Sequence, residues 1–191
     1  FVLAQMYQHT YKGNESKPCV PLITNENANE AAANGCARST VQEVYDQIMS
    51  DLNKAVSLLE NTDKTRGTDK RYISKEVAYG LRARVNLTMQ NWTAAAEDAQ
   101  KAIDGSGTPY SREEASAPGF TESSDHSWMW AIVIAETDRV VTSSIVNFPS
   151  HMGSLNYGYA SVGSWRMINK KLYNEIPDTD VRKGWWLDAN K

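Results

Sequence analysis

Residues 75–104 read KEVAYGLRARVNLTMQNWTAAAEDAQKAID, and the spacing of small and apolar residues in this stretch decides the fold. Ala78, Leu81, Ala83 and Val85 follow the period of one helix; Gln90 and Asn91 interrupt it, and Trp92, Ala95, Ala99, Ala102 and Ile103 trace a second. Two helices joined by so short a link lie antiparallel. Alanines facing each other across the joint let the backbones approach closely, and the indole of Trp92 is expected to fill the wedge at the turn as a core residue.

Immediately upstream, Thr40 with Glu43 three residues on makes a capping box in front of a long apolar series. Val41, Val44, Tyr45, Ile48, Leu52, Ala55, Val56 and Leu59 form one stripe over roughly five turns. Glu43, Asp46, Asp51, Asn53 and Lys54 fall on the opposite face, so this helix packs on one side and meets water on the other. Helix pairs of this alanine-rich kind are built as in tetratricopeptide repeats. The expected fold class is mainly α, with tetratricopeptide-like hairpins and long irregular loops.

Outside this segment the pattern weakens. The opening run FVLAQMYQHTY reads as the tail of an amphipathic helix with no cap before it, and the chain ends as abruptly at Asn190 and Lys191, so both ends read as cuts in a longer protein. Residues 13–39 are rich in Asn, Glu, Ala and Gly, with Pro18 and Pro21 beside Cys19, and read as a surface loop whose Val20–Leu22 piece tucks against the helices. A disulfide between Cys19 and Cys36 and a pair of free thiols both fit that loop. Residues 61–72 form a charged connection, after which Ser74 is placed to cap the next helix.

Beyond residue 104, glycines and prolines forbid helix through to Ser127. WMWAIVIA, residues 128–135, then reads as a buried extended segment that takes Trp128 and Trp130 into the core. Residues 136–164 show no period, and a loop this long in a compact domain is usually functional or disordered. A last helix is expected over 164–175, with Trp165, Ile168, Leu172 and Tyr173 on one side and Pro177 at its end. The scaffold thus covers about residues 1–12 and 40–104, and a loop-rich region about 105–191.

Composition excludes several function classes. The 191 residues carry 20 basic and 23 acidic side chains and no basic run, which argues against nucleic acid as a partner. No segment approaches the apolar length of a membrane helix. The chain has no G-x-S-x-G, H-E-x-x-H or Walker A motif, its three histidines lie in separate segments, and no pair of carboxylates is placed across a cleft, so an enzyme is not expected. Asp178, Asp180 and Asp188 do not have the spacing of a calcium loop; they read as a turn in which Asp180 pairs with Arg182. No cofactor and no metal is expected.

Taken in order, the VPL loop, RSTVQEVYDQIMSDLNKAVSLL, KEVAYGLRARVNLTMQNWTAAAEDAQKAI, the WMWAI segment and LYNEIPDTDVRK resemble the SusD/RagB family of outer-membrane substrate-binding lipoproteins. Asn86 and Gln90 depart from the pattern, standing where such hairpins often have an aromatic and a glycine. The resemblance implies a SusD-like α superhelix without catalysis. It further implies a surface-exposed protein that captures oligosaccharides and hands them to a SusC-like TonB-dependent transporter, held at the outer membrane by a lipid anchor upstream of Phe1. The present chain would be a middle part of such a protein.

A sugar ring offers an apolar C–H face and a belt of hydroxyls, so its site needs a flat aromatic platform among polar donors and acceptors. Tyr157, Tyr159 and Trp165, with Asn156, His151 and Arg166 beside them, supply that mixture in the long polar loop and are the candidate ligand contacts. Packing of the same rings to anchor the loop is the alternative. A tetratricopeptide-like adaptor holding a partner peptide is the rival function.

Overall fold

The computed structural model describes residues 1–62, 69–117, 122–142 and 162–186. Every regular element among them is helical, apart from one isolated bridge between Pro18 and Thr40. The chain divides into two compact units, Phe1–Thr108 with His126–Trp130, and Pro109–Asp125 with Ala131–Lys191.

The first unit contains α1 (Val2–Tyr7), α2 (Ala28–Asn34), α3 (Val41–Glu60), α4 (Lys75–Thr88) and α5 (Trp92–Asp104). At the start of α3 the capping box forms: Thr40 Oγ1 accepts from Glu43 N at 3.2 Å, and Glu43 Oε2 accepts from Thr40 N at 2.7 Å. Those bonds, the backbone one first, hold the Glu43 carboxyl below its ordinary range. The stripe behaves as its spacing predicts: Val41, Val44, Tyr45 and Val56 are buried, Ile48, Leu52, Ala55 and Leu59 half-buried, and the acidic face is exposed.

Around Tyr45 a first core gathers Ala4, Tyr11, Cys19, Val44 and Val85, with Val20 and Leu22 of the VPL piece packed against it. The Tyr11 ring lies 5.0 Å from that of Tyr45, and its hydroxyl donates to Gln42 Oε1 at 2.8 Å. Arg38 pins the preceding loop by donating from Nε to Cys19 O and from Nη2 to Gln8 Oε1, both at 2.5 Å. Both cysteines are free thiols, Cys19 buried and Cys36 half-buried. Burial in this core pushes the Tyr45 phenol up.

The hairpin of α4 and α5 forms with a link of three residues. Gln90 sits in the left-handed region at φ 64°, the conformation that favours glycine. Asn91 closes the turn, donating its backbone N–H to Asn86 O at 2.8 Å and its side-chain amide to Asn86 Oδ1 at 3.3 Å. The two residues that depart from the expected repeat pattern are thus accommodated at the turn itself.

Inside the hairpin is a polar cluster. Arg82 grips Asp98 with two hydrogen bonds, Nε to Oδ2 at 2.8 Å and Nη2 to Oδ1 at 2.7 Å, and reaches α3 through Nη1 to Asn53 Oδ1 at 2.9 Å. Asn86, also buried, donates to Asp98 Oδ2 at 3.3 Å. The guanidinium lies 5.4 Å from the Tyr79 ring centroid, and the Tyr79 hydroxyl donates to Glu60 at the end of α3. A second apolar core of Val56, Ala78, Tyr79 and Ala102 adjoins this cluster.

Several expectations are corrected. Trp92 is not a core residue, being 61% exposed, because α5 turns Ala95, Asp98 and Ala102 inward to bring the carboxylate to Arg82. Ser74 makes no capping bond, and its buried hydroxyl has no partner among the described residues. The loop over 13–39 contains α2, an alanine-rich helix of about two turns that stops at Gly35 with φ 78°. The segment 128–135 is irregular and largely open: Ala131 is buried and Trp128 and Met129 half-buried, but Trp130 is 42% and Ile132 79% exposed. Met129 packs on the second core, where Gly80 leaves it room.

Removing one partner of a buried ion pair strands the other, at a cost of about 3 kcal/mol or more. Asp98→Ala is therefore expected to lower the urea midpoint by that equivalent, because Arg82 and Asn86 lose their acceptor together. Trp92→Ala is expected to cost under about 1 kcal/mol in the same unfolding experiment, as for other exposed side chains.

Candidate functional site

The second unit contains α6 (Arg112–Ser116), α7 (Arg139–Thr142), α8 (Lys170–Glu175) and a 3₁₀ segment, Val181–Trp186. α6 begins with its own capping box, Ser111 with Glu114, in a stretch whose glycines and prolines read as non-helical. α8 is shorter than the expected helix over 164–175. Asn169 Oδ1 accepts from the backbone N–H of Lys171 at 2.9 Å and of Leu172 at 3.4 Å, which sets the cap there and leaves Trp165 and Ile168 outside the helix. The helix ends before Pro177, as expected.

The turn after Pro177 is held by Asp180. Its Oδ1 accepts from Arg182 N at 3.0 Å and from Arg182 Nε at 2.9 Å, and its Oδ2 accepts from Nη2 at 2.5 Å. One residue therefore caps the 3₁₀ segment and clamps the arginine, as its position before Arg182 predicts. Next to it Lys183 Nζ pairs with Asp178 Oδ1 at 2.6 Å and lies 5.3 Å from the Tyr173 ring centroid. Among the described residues no group of three His, Cys, Asp or Glu side chains could hold a metal ion, and Asp188 lies outside them.

This turn carries Trp185 and Trp186 to the rim of a groove of about 300 Å³, lined also by Ile168, Leu172, Ile176, Asp180 and Arg182. The indoles remain 50% and 54% exposed. Trp185 Nε1 donates to Ser116 Oγ at 3.4 Å, tying the 3₁₀ segment to α6. Of the residues expected to contact ligand, Trp165 is 55% exposed, and Arg166 is exposed with Nη1 3.5 Å from Ser164 Oγ. His151, Asn156, Tyr157 and Tyr159 lie outside the described residues. Sequence reasoning did not single out the groove of Trp185 and Trp186; its signal was the indole pair standing directly after the Asp180–Arg182 turn.

The first unit has an apolar groove of about 490 Å³ on α4 and α5, bordered by Gly80, Leu87, Trp92 and Ile103. His126 donates from Nδ1 to Thr108 O at 2.8 Å, a contact that ties down the loop. No described helix is long and apolar enough to cross a membrane.

The fold is thus a helical, tetratricopeptide-like scaffold in one unit and a loop-rich second unit that presents aromatic side chains. Residues 1–87 match the family model SusD-like_3, described as starch-binding associating with outer membrane. The fold is similar to that of a SusD-like carbohydrate binding protein from Bacteroides vulgatus, with a TM-score of 0.73 at 24% identity. That likeness covers 96% of this chain and 36% of the other, so the chain spans little more than a third of the length of its structural relative. A SusD superfamily protein from Bacteroides thetaiotaomicron is 26% identical, with a TM-score of 0.49 over 60% of this chain and 24% of that one. No curated protein matches.

The Arg182 clamp, by its side-chain bond first, holds the Asp180 carboxyl down to about 2, below its usual 3.8. A depressed carboxyl stabilises the turn above the unfolded value and loses that contribution as pH falls through the folded value. The Asp180 carboxyl carbon is accordingly expected to titrate near pH 2 by NMR, and Arg182→Gln to move that midpoint back towards 3.8.

Proposed function

We propose that this chain is part of a non-catalytic cell-surface protein that captures oligosaccharides and delivers them to a SusC-like TonB-dependent outer-membrane transporter. The observation that carries the reading is the match of residues 1–87 to a family described as starch-binding associating with outer membrane. The shared fold of the carbohydrate binding protein from Bacteroides vulgatus supports it. In this reading the helical unit is the rigid scaffold, and the polar loop with Tyr157, Tyr159, Trp165, Asn156, His151 and Arg166 contributes to the binding face. The protein is held at the outer membrane by a lipid anchor upstream of Phe1, and no bound cofactor takes part. Binding is modest and reversible, since a protein that passes cargo onward gains little from a long residence time.

One observation favours a second reading, that of an adaptor for a partner peptide: the apolar groove of α4 and α5, with Leu87, Trp92 and Ile103 exposed on its rim. Affinity electrophoresis against neutral and acidic polysaccharides, with a peptide pool titrated in parallel by calorimetry, separates the two. Retardation by at least one polysaccharide is expected, and Trp165→Ala or Tyr157→Ala is expected to weaken it with the far-UV circular dichroism unchanged. Binding of peptides alone would contradict glycan capture.

A further inference from the structure

The groove of the second unit combines features that no packing role requires. Trp92, Trp130 and Trp165 are exposed too, but only Trp185 and Trp186 stand side by side on one concavity among the described residues. In a 3₁₀ segment neighbouring residues differ by about 120° around the axis. Trp185 and Trp186 can therefore form adjoining walls of one groove, whereas in an extended strand they would face opposite ways.

The polar side of the groove is neutral as a whole. The two charged residues that line it, Asp180 and Arg182, pair with each other, Asp178 pairs with Lys183 beside them, and Arg112 acts on Asp180 from outside the lining. Hydrogen-bonding capacity is nevertheless left over: among the described residues Arg182 Nη1 and Trp186 Nε1 have no partner. The Asp180 oxygens keep lone pairs beyond those Arg182 takes. Ile168, Leu172 and Ile176 supply the apolar part of the wall. A volume of about 300 Å³ suits a small cyclic unit better than a helix, and no strand edge among the described residues is available to pair with a peptide backbone.

We propose that this groove is a subsite for one neutral pyranose ring of a glycan, with the indoles of Trp185 and Trp186 against its C–H face and Asp180 and Arg182 on its hydroxyls. The inference rests on the reading of the chain as a glycan-binding protein. The ring exchanges water for the indole faces, and its hydroxyls, which both donate and accept, meet the leftover donors and the carboxylate. The ion pair keeps that polar wall in one geometry before the ligand arrives, which lowers the ordering cost of binding.

The test is native electrophoresis of the chain in gels containing amylopectin, xyloglucan, galactomannan or polygalacturonate, with Trp185→Ala, Trp186→Ala and Trp186→Phe alongside. For a neutral polysaccharide that retards the parent chain, either alanine variant is expected to raise Kd about fivefold or more, and Trp186→Phe to retain most of the affinity. Where an alanine variant loses its native circular dichroism, the indole N–H resonances of the unsubstituted chain take its place, and those of Trp185 and Trp186 are expected to shift on adding the retarding polysaccharide's oligosaccharide. Retardation unchanged in both alanine variants, or indole signals that do not move, would overturn the subsite and leave glycan capture standing. Retardation by polygalacturonate alone would overturn the neutral-ring assignment. Failure of every polysaccharide to retard the parent would overturn glycan capture and the subsite with it.

Discussion

The helical unit depends on the ion pair between Arg82 and Asp98. Both side chains are largely withdrawn from water, and their two hydrogen bonds of 2.7 and 2.8 Å join α4 to α5 in one rotational setting. A pair of alanine-rich helices would otherwise have little to choose between several settings, because small residues on many sides let the helices slide and turn with similar burial. The carboxylate removes that freedom. Once Asp98 faces Arg82, Ala95 and Ala102 must face inward with it, and Trp92 and Ile103 must stand on the outer side. Through Asn53 and Glu60 the same cluster fixes α3, so three helices share one polar reference point.

Asp180 and Arg182 repeat the same chemistry under other conditions. In that pair Arg182 is exposed and Asp180 half-buried, and ion pairs at the surface contribute little to stability. Its effect is local: by capping the 3₁₀ segment and clamping the arginine, Asp180 decides how the following tryptophans are presented. Burial makes the first pair an element of folding, and exposure makes the second an element of a surface. The proposed function assigns the helical unit the part of support and the second unit the groups that meet a ligand.

What could be read from the sequence follows from the range of the interactions concerned. The capping box at Thr40, the stripe of α3, the short link of the hairpin and the pairing of Asp180 with Arg182 are set by residues at most a few turns apart, and all were legible. The outward turn of Trp92 was not, since it follows from a contact between Arg82 and Asp98 across 16 positions, and no helical period records which partner wins. The openness of Ile132 and Val133 was missed for a related reason: an apolar run shows a capacity for burial without showing what covers it. Asn169 hid in plain view, as an N-cap inside a segment whose apolar spacing continued upstream to Trp165. Of the six residues expected at the site, only Trp165 and Arg166 fall among the described ones.

The most direct measurement is amide hydrogen exchange of the chain with and without a saturating amount of an oligosaccharide cut from a polysaccharide that retards it. The expected result is slower exchange in peptides covering residues 162–186, with α3, α4 and α5 unchanged. Protection centred on Leu87, Trp92 and Ile103 in the groove of α4 and α5 would contradict the division into support and binding unit, and would make the helical hairpin itself the ligand site.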